Sequence, residues 1–174
     1  MSENLNILHK KLAHLSRMRG DVQHSLGKLS RPLSTIKQAG ITALTPDERE
    51  IISAFTTRFA TYQEHMGKTM KSLAIEEESA TSPFGAILAL MEKLDILDSK
   101  EKWSEVRGLR NSVNHEYEDD AEELHQILSN MMDSAPWLIS VHGQLETFVK
   151  NTYPPAPPAP SAPIVPAICG HQPR

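Results

Sequence analysis

Leu5, Leu8, Leu12, Leu15, Val22, Leu26, Leu29, Leu33 and Ile36 recur mainly in steps of three and four. That spacing lays side chains along one face of a helix, whereas a strand needs a period of two. The same rhythm returns in Ile51, Ile52, Phe55, Phe59, Tyr62, Met66, Met70 and Leu73, and again in Phe84, Ile87, Leu88, Met91 and Leu94. Almost nothing in between alternates as a half-buried strand does. Each stripe must be covered by another helix, so the chain is expected to be all-α.

Local signals divide the pattern into elements. Arg19 interrupts the first stripe, and Gly20, Gly27 and Pro32 weaken it without erasing it, so one long amphipathic helix is expected there. Thr45-Pro46-Asp47-Glu48 reads as a capping box with proline at the first helical position. Glu76 to Thr81 reads as a solvated end and loop, after which Ser82-Pro83 opens a shorter helix. Asp98 or Ser99 is placed to cap a helix from Lys100 to about Glu116, and Glu118-Asp119-Asp120 to end it and cap the last one, from Ala121 towards Lys150. Pro136 should kink or divide that last helix. The expectation is an up-and-down bundle of four to five helices over residues 1–153. Residues 154–174 hold 8 of the 12 prolines, four alanines and one charge. Such a Pro/Ala-rich tail is expected to be polyproline II or disordered.

Composition excludes several functional classes. A net charge of −4 argues against a protein that grips duplex DNA by bulk charge. Cys169 stands alone, so neither a disulfide framework nor a cysteine-based zinc site is expected. No apolar run approaches the roughly 20 residues of a membrane span, and Met1 to Asn6 lacks the basic start of a signal peptide. A cytoplasmic protein without membrane contact is expected.

Chemistry concentrates between Lys100 and Tyr117. With Arg110 at zero and about 100° per residue, Asn114 falls near 40°, Arg107 near 60°, Asn111 near 100°, His115 near 140° and Tyr117 near −20°. Val113, Val106 and Leu109 occupy about 300°, 320° and 260°, and Glu105 and Glu116 about 220° and 240°. One face is apolar. The other gathers two guanidiniums, two amides, an imidazole and a phenol, with no carboxylate among them.

In an acidic protein such a face is a local anion site. It lacks a carboxylate cluster for Mg²⁺ and a second histidine at i+4 for zinc, so no metal is expected. Arginine offers a planar fork to phosphate oxygens, and histidine moves protons near neutrality. A phosphodiester beside a 2′-hydroxyl needs these functions, which points to RNA. The Arg-x4-His spacing alone is weak evidence. It recurs in Arg19-Gly20-Asp21-Val22-Gln23-His24, where Val22 and Leu26 lie on the core stripe and a structural role is expected. The longer pattern Arg110-Asn111-x3-His115-x-Tyr117 is far more restrictive.

Leu109-Arg110-Asn111-Ser112-Val113-Asn114-His115-Glu116-Tyr117, followed by an acidic turn and a long helix with an internal proline, resembles the HepT-like branch of the HEPN superfamily. Leu44-Thr45-Pro46-Asp47-Glu48, Phe55-x3-Phe59 and Ile87-x6-Leu94-x-Ile96 are also similar. The resemblance implies a helical bundle that forms a homodimer through the motif helix, with a shared cleft. It implies a metal-independent endoribonuclease toxin of a type VII-like toxin–antitoxin pair, with Arg110 and His115 catalytic and Asn111, Asn114 and Arg107 supporting. The implied antitoxin is an MNT-type nucleotidyltransferase that uses ATP to place AMP on Tyr117, so the toxin itself needs no cofactor. A second expectation for the same face is a non-catalytic nucleotide- or partner-binding subunit of a nucleotidyltransferase.

Overall fold

A computed structural model of the chain describes residues 2–113 and 120–155. Among these the fold is an all-α bundle of six helices: α1 (Glu3–Leu26), α2 (Ser30–Ala39), α3 (Pro46–Glu76), α4 (Phe84–Lys93), α5 (Lys100–Val113) and α6 (Ala121–Thr152). A short 3-10 turn, Ile41–Ala43, joins α2 to α3.

The first apolar stripe is continuous in burial but not in backbone, which corrects the expectation of one rod. Helix α1 ends at Leu26, and α2 begins at Ser30. A proline at position 32 of an unbroken helix would leave the Lys28 carbonyl without its donor and clash with it. Restarting at Ser30 puts Pro32 in a first turn, where a missing N–H leaves no bond unmade. Leu29, Leu33 and Ile36 still reach the core.

The capping box forms as expected. The Glu48 N–H donates to Thr45 Oγ1 at 3.2 Å, and the Thr45 N–H donates to Glu48 Oε2 at 2.9 Å. Glu48 Oε1 also accepts from Thr35 Oγ1 at 2.7 Å and lies 3.4 Å from Arg31, so one buried carboxylate ties α2 to the start of α3. These bonds, the Thr45 backbone donor first, hold its pKa below the ordinary glutamate value. Gly40, with φ of 82°, lets the chain turn sharply after α2.

Helix α3, 31 residues long and so about 46 Å, is the spine. It buries Ile52, Phe55, Phe59, Tyr62, Met66, Met70 and Leu73. Helix α1 runs against it: Asn4 Nδ2 donates to Glu76 Oε2 at 2.8 Å, and Lys11 Nζ to Ser72 Oγ at 2.6 Å. Helix α6 runs alongside it, with Tyr62 near His142 and the Tyr153 hydroxyl donating to Glu77 at 2.7 Å. Helix α5 runs against α6, since Lys102 lies 5.0 Å from the Trp137 ring while Leu109 faces Asn130. Helices α1, α3, α5 and α6 thus form the bundle, with α2 packed on α3 and α6, and α4 on α3 and α5.

Pro136 lies inside α6, yet the helix is not divided there. Met131, Ala135 and Leu138 are fully buried on either side of it. Their packing outweighs the roughly 3 kcal/mol that an interior proline costs. The Asp120 cap also forms, Oδ1 accepting from the Glu122 and Glu123 N–H groups at 2.9 and 3.3 Å.

At the heart of the bundle the Tyr62 hydroxyl and His142 Nδ1 are 2.7 Å apart, and both residues are fully buried. His142 Nε2 has no partner among the described residues, and burial pushes the imidazole pKa down. Burial likewise raises that of the Tyr62 phenol. The pair is a neutral polar bond inside an apolar core.

Candidate functional site

Two bonds start α5. The Lys102 N–H donates to Ser99 Oγ at 3.0 Å, which identifies Ser99 as its cap, and the Lys100 N–H donates to Glu92 Oε1 at 2.8 Å. Trp103 and Val106, each 2 % exposed, anchor the helix and fix its rotation. At 100° per residue Trp103 lies about 20° from Arg110, on the edge counted as polar in the sequence. The polar strip of α5 therefore begins with a buried indole.

Arg107 and Arg110 open onto a cleft of about 390 Å³ between α3, α4 and α5. Helix α3 contributes Gln63, Glu64, Gly67, Lys68 and Lys71, and α4 contributes Phe84. Trp103 forms its wall with Phe84, the ring centroids 6.4 Å apart. Gly67 makes this approach possible: a Cβ there would come within 3.2 Å of Phe84 Cζ and 3.7 Å of Trp103 Cζ2. The Arg107 guanidinium lies 5.9 Å from the Phe84 ring centroid, a cation–π distance.

Among the described residues the lining holds four cations, Lys68, Lys71, Arg107 and Arg110, against one carboxylate, Glu64. The strip along α5 is free of acid as expected, but tertiary packing brings Glu64 to it, so the cleft as a whole is not. Lys68 Nζ lies 2.6 Å from Glu64 Oε1. This bond first, and Arg110 more weakly, hold the glutamate pKa down. One cation is thus largely matched locally, and Lys71, Arg107 and Arg110 remain in excess. The positive surface continues onto α1 through Lys11, whose Nζ also donates to the Lys68 carbonyl at 3.2 Å. Burial, then Lys68 and Lys71, push its pKa below the ordinary lysine value.

Of the residues singled out in the sequence, Arg107 and Arg110 meet in this cleft, whereas Asn111 is exposed on α5 and does not line it. Asn114, His115 and Tyr117 lie outside the described residues, as do residues 156–174. The second Arg-x4-His spacing has a structural partner: Arg19 Nη1 lies 3.5 Å from Glu146 on α6. Gln63, Gly67, Lys68 and Lys71 carry no local signal in the sequence, and Phe84 reads there only as core, because nothing local says which stretch of α3 or α4 will lie beside α5. Trp103 did carry one, since it shares the angular position of Arg110. Among the described residues no group of three or more His, Cys, Asp or Glu side chains is arranged to hold a metal ion, and no helix is long and apolar enough to cross a membrane. No family model, curated protein or solved structure matches the chain.

Proposed function

We propose that the protein is an endoribonuclease of the HepT-like kind, acting as a homodimer in the cytoplasm and cleaving RNA without a metal ion. The observation that carries this reading is the convergence of Arg107 and Arg110 with Lys71 on one excess-positive cleft, immediately before His115 in sequence. A cleft of this charge attracts phosphodiesters even though the whole chain carries −4.

In this mechanism His115 takes the proton of the 2′-hydroxyl. The 2′-oxygen then attacks phosphorus, and the bond to the 5′-oxygen breaks. The leaving oxygen is protonated by the imidazolium of the opposite protomer. Arg110 stabilises the charge that develops on the phosphorane; removing one preorganised donor aimed at such charge costs on the order of 10²–10³ in rate. The products are a 2′,3′-cyclic phosphate and a 5′-hydroxyl. The proposed control follows the same electrostatics: an MNT-type nucleotidyltransferase using ATP would place AMP on Tyr117, and its fixed phosphate would satisfy Arg110 and fill the cleft.

The test is cleavage of single-stranded RNA by purified protein with EDTA present. Cleavage to cyclic-phosphate ends is expected, with loss of activity in folded His115→Ala and Arg110→Ala variants. A requirement for Mg²⁺, or activity that survives His115→Ala, refutes the mechanism. Tight binding of nucleotide or of a nucleotidyltransferase without any cleavage would instead favour a non-catalytic subunit.

A further inference from the structure

Gln63 lies in the middle of α3, only 2 % exposed, and lines the cleft. Its Nε2 donates to the main-chain oxygen of Trp103 at 3.4 Å, while its Oε1 has no hydrogen-bond partner among the described residues. Turning the amide over would not relieve this, because the Trp103 carbonyl can only accept and would then face another acceptor. Native proteins rarely leave a buried acceptor unpaired, and such an atom in a cleft marks a place where a ligand brings the missing donor.

The surroundings narrow the ligand. Phe84 and Trp103 give the cleft an aromatic wall, and Arg107 lies over the Phe84 ring. Lys68, Lys71 and Arg110 surround that wall with positive charge. At about 390 Å³ the cleft is near the lower end of small-ligand sites, commonly roughly 300–1,000 Å³. A flat π-system with an N–H edge and an attached anion is a nucleobase on its phosphate. A duplex keeps its bases stacked and paired, so the strand must be single.

We propose that this cleft is a base-recognition subsite for single-stranded RNA, favouring a base whose edge presents an N–H donor. The base next to the scissile phosphate packs against Phe84, which Trp103 backs from the core, and donates an edge N–H to Gln63 Oε1. Lys71, which has no matching carboxylate in the lining, holds a neighbouring phosphate. The inference rests on the ribonuclease reading, since it assigns the nucleotide that this site would hold during cleavage. Gln63 is here a specificity residue, distinct from the groups that move protons.

The test measures binding of the intact protein to fluorescein-labelled 2′-O-methyl oligonucleotides, which have no free 2′-hydroxyl to react. Oligomers of adenosine, of uridine and of purine riboside, which is adenosine without its amino group, are compared by anisotropy. Adenosine is expected to bind on the order of tenfold tighter than purine riboside, which presents no edge N–H. Gln63→Leu should remove the advantage of adenosine over purine riboside. If that variant fails to fold, the purine riboside comparison with the unaltered protein still decides. Equal binding of all three, with EDTA-resistant cleavage intact, overturns the subsite and leaves the ribonuclease reading standing. Absence of both cleavage and binding overturns the ribonuclease reading and the subsite with it. Tight binding of free AMP without binding of the adenosine oligomer also overturns the subsite, because the cleft would then take a mononucleotide and not a strand.

Discussion

Replacing Tyr62 with phenylalanine isolates the polar content of the bundle core. The ring is fully buried and meets His142 edge-on, the centroids 5.7 Å apart at 70°. Tyr62→Phe keeps that packing and removes only the hydroxyl that bonds His142 Nδ1 at 2.7 Å. Because His142 Nε2 already has no partner among the described residues, the variant leaves a buried imidazole without any bond to them. Leaving one buried polar group unsatisfied costs about 1–3 kcal/mol. At about 2–4 °C per kcal/mol for a chain of this size, the melting temperature should fall by several degrees. Removing the second partner as well should recover much of the loss, so Tyr62→Phe/His142→Leu is expected to be less destabilised than the two single changes summed. Thermal or urea unfolding followed by circular dichroism measures all four proteins.

The same pair sets a pH dependence. Burial holds the native His142 pKa below its ordinary value, so below about pH 6.5 the unfolded chain takes up a proton that the native chain refuses. Stability is therefore expected to fall as pH drops through that region. His65, also held low by burial, contributes in the same direction. His142→Leu should reduce the slope without abolishing it. A Tyr62→Phe protein as stable as the parent, or strictly additive single and double variants, would refute the account of the core bond.

Two further outcomes are expected. Glu48, whose native pKa is depressed, contributes stability that is present above about pH 4.3 and lost as pH falls through the lower native value. Glu48→Gln should accordingly lose less stability than the parent between neutral and acidic pH, and equal losses in pH-dependent melts would contradict the linkage. Arg19→Ala removes a partly exposed ion pair with Glu146; it should change stability by under about 1 kcal/mol and leave RNA cleavage unaltered. A large fall in cleavage would give the second Arg-x4-His spacing a role that its structural partner does not explain.

The helices were legible wherever a local rule acts on its own. Thr45 and Glu48 cap α3, Asp120 caps α6, and the stripe from Ile52 to Leu73 is buried along one face. The break after Leu26 was less visible because Leu29, Leu33 and Ile36 continue the stripe across it; the backbone obeys Pro32 while the burial pattern ignores it. Pro136 shows the reverse, a local breaker overruled by the core around it. The two guanidiniums of the cleft follow from helical angle alone. Glu64, Lys68 and Gln63 do not, since their roles arise from the packing of α3 beside α5. An unpaired amide oxygen has no signature in a string of residue types.

Gly67 occupies the interior of α3, where glycine weakens a helix by about 1 kcal/mol relative to alanine. In return, the depth of the recess hinges on one absent methyl: a branched side chain there would obstruct entry while every guanidinium and ammonium stayed in place. Attraction of a ligand and admission of that ligand are thus governed by different parts of the chain. Drift at a single codon can retune the second without disturbing the first.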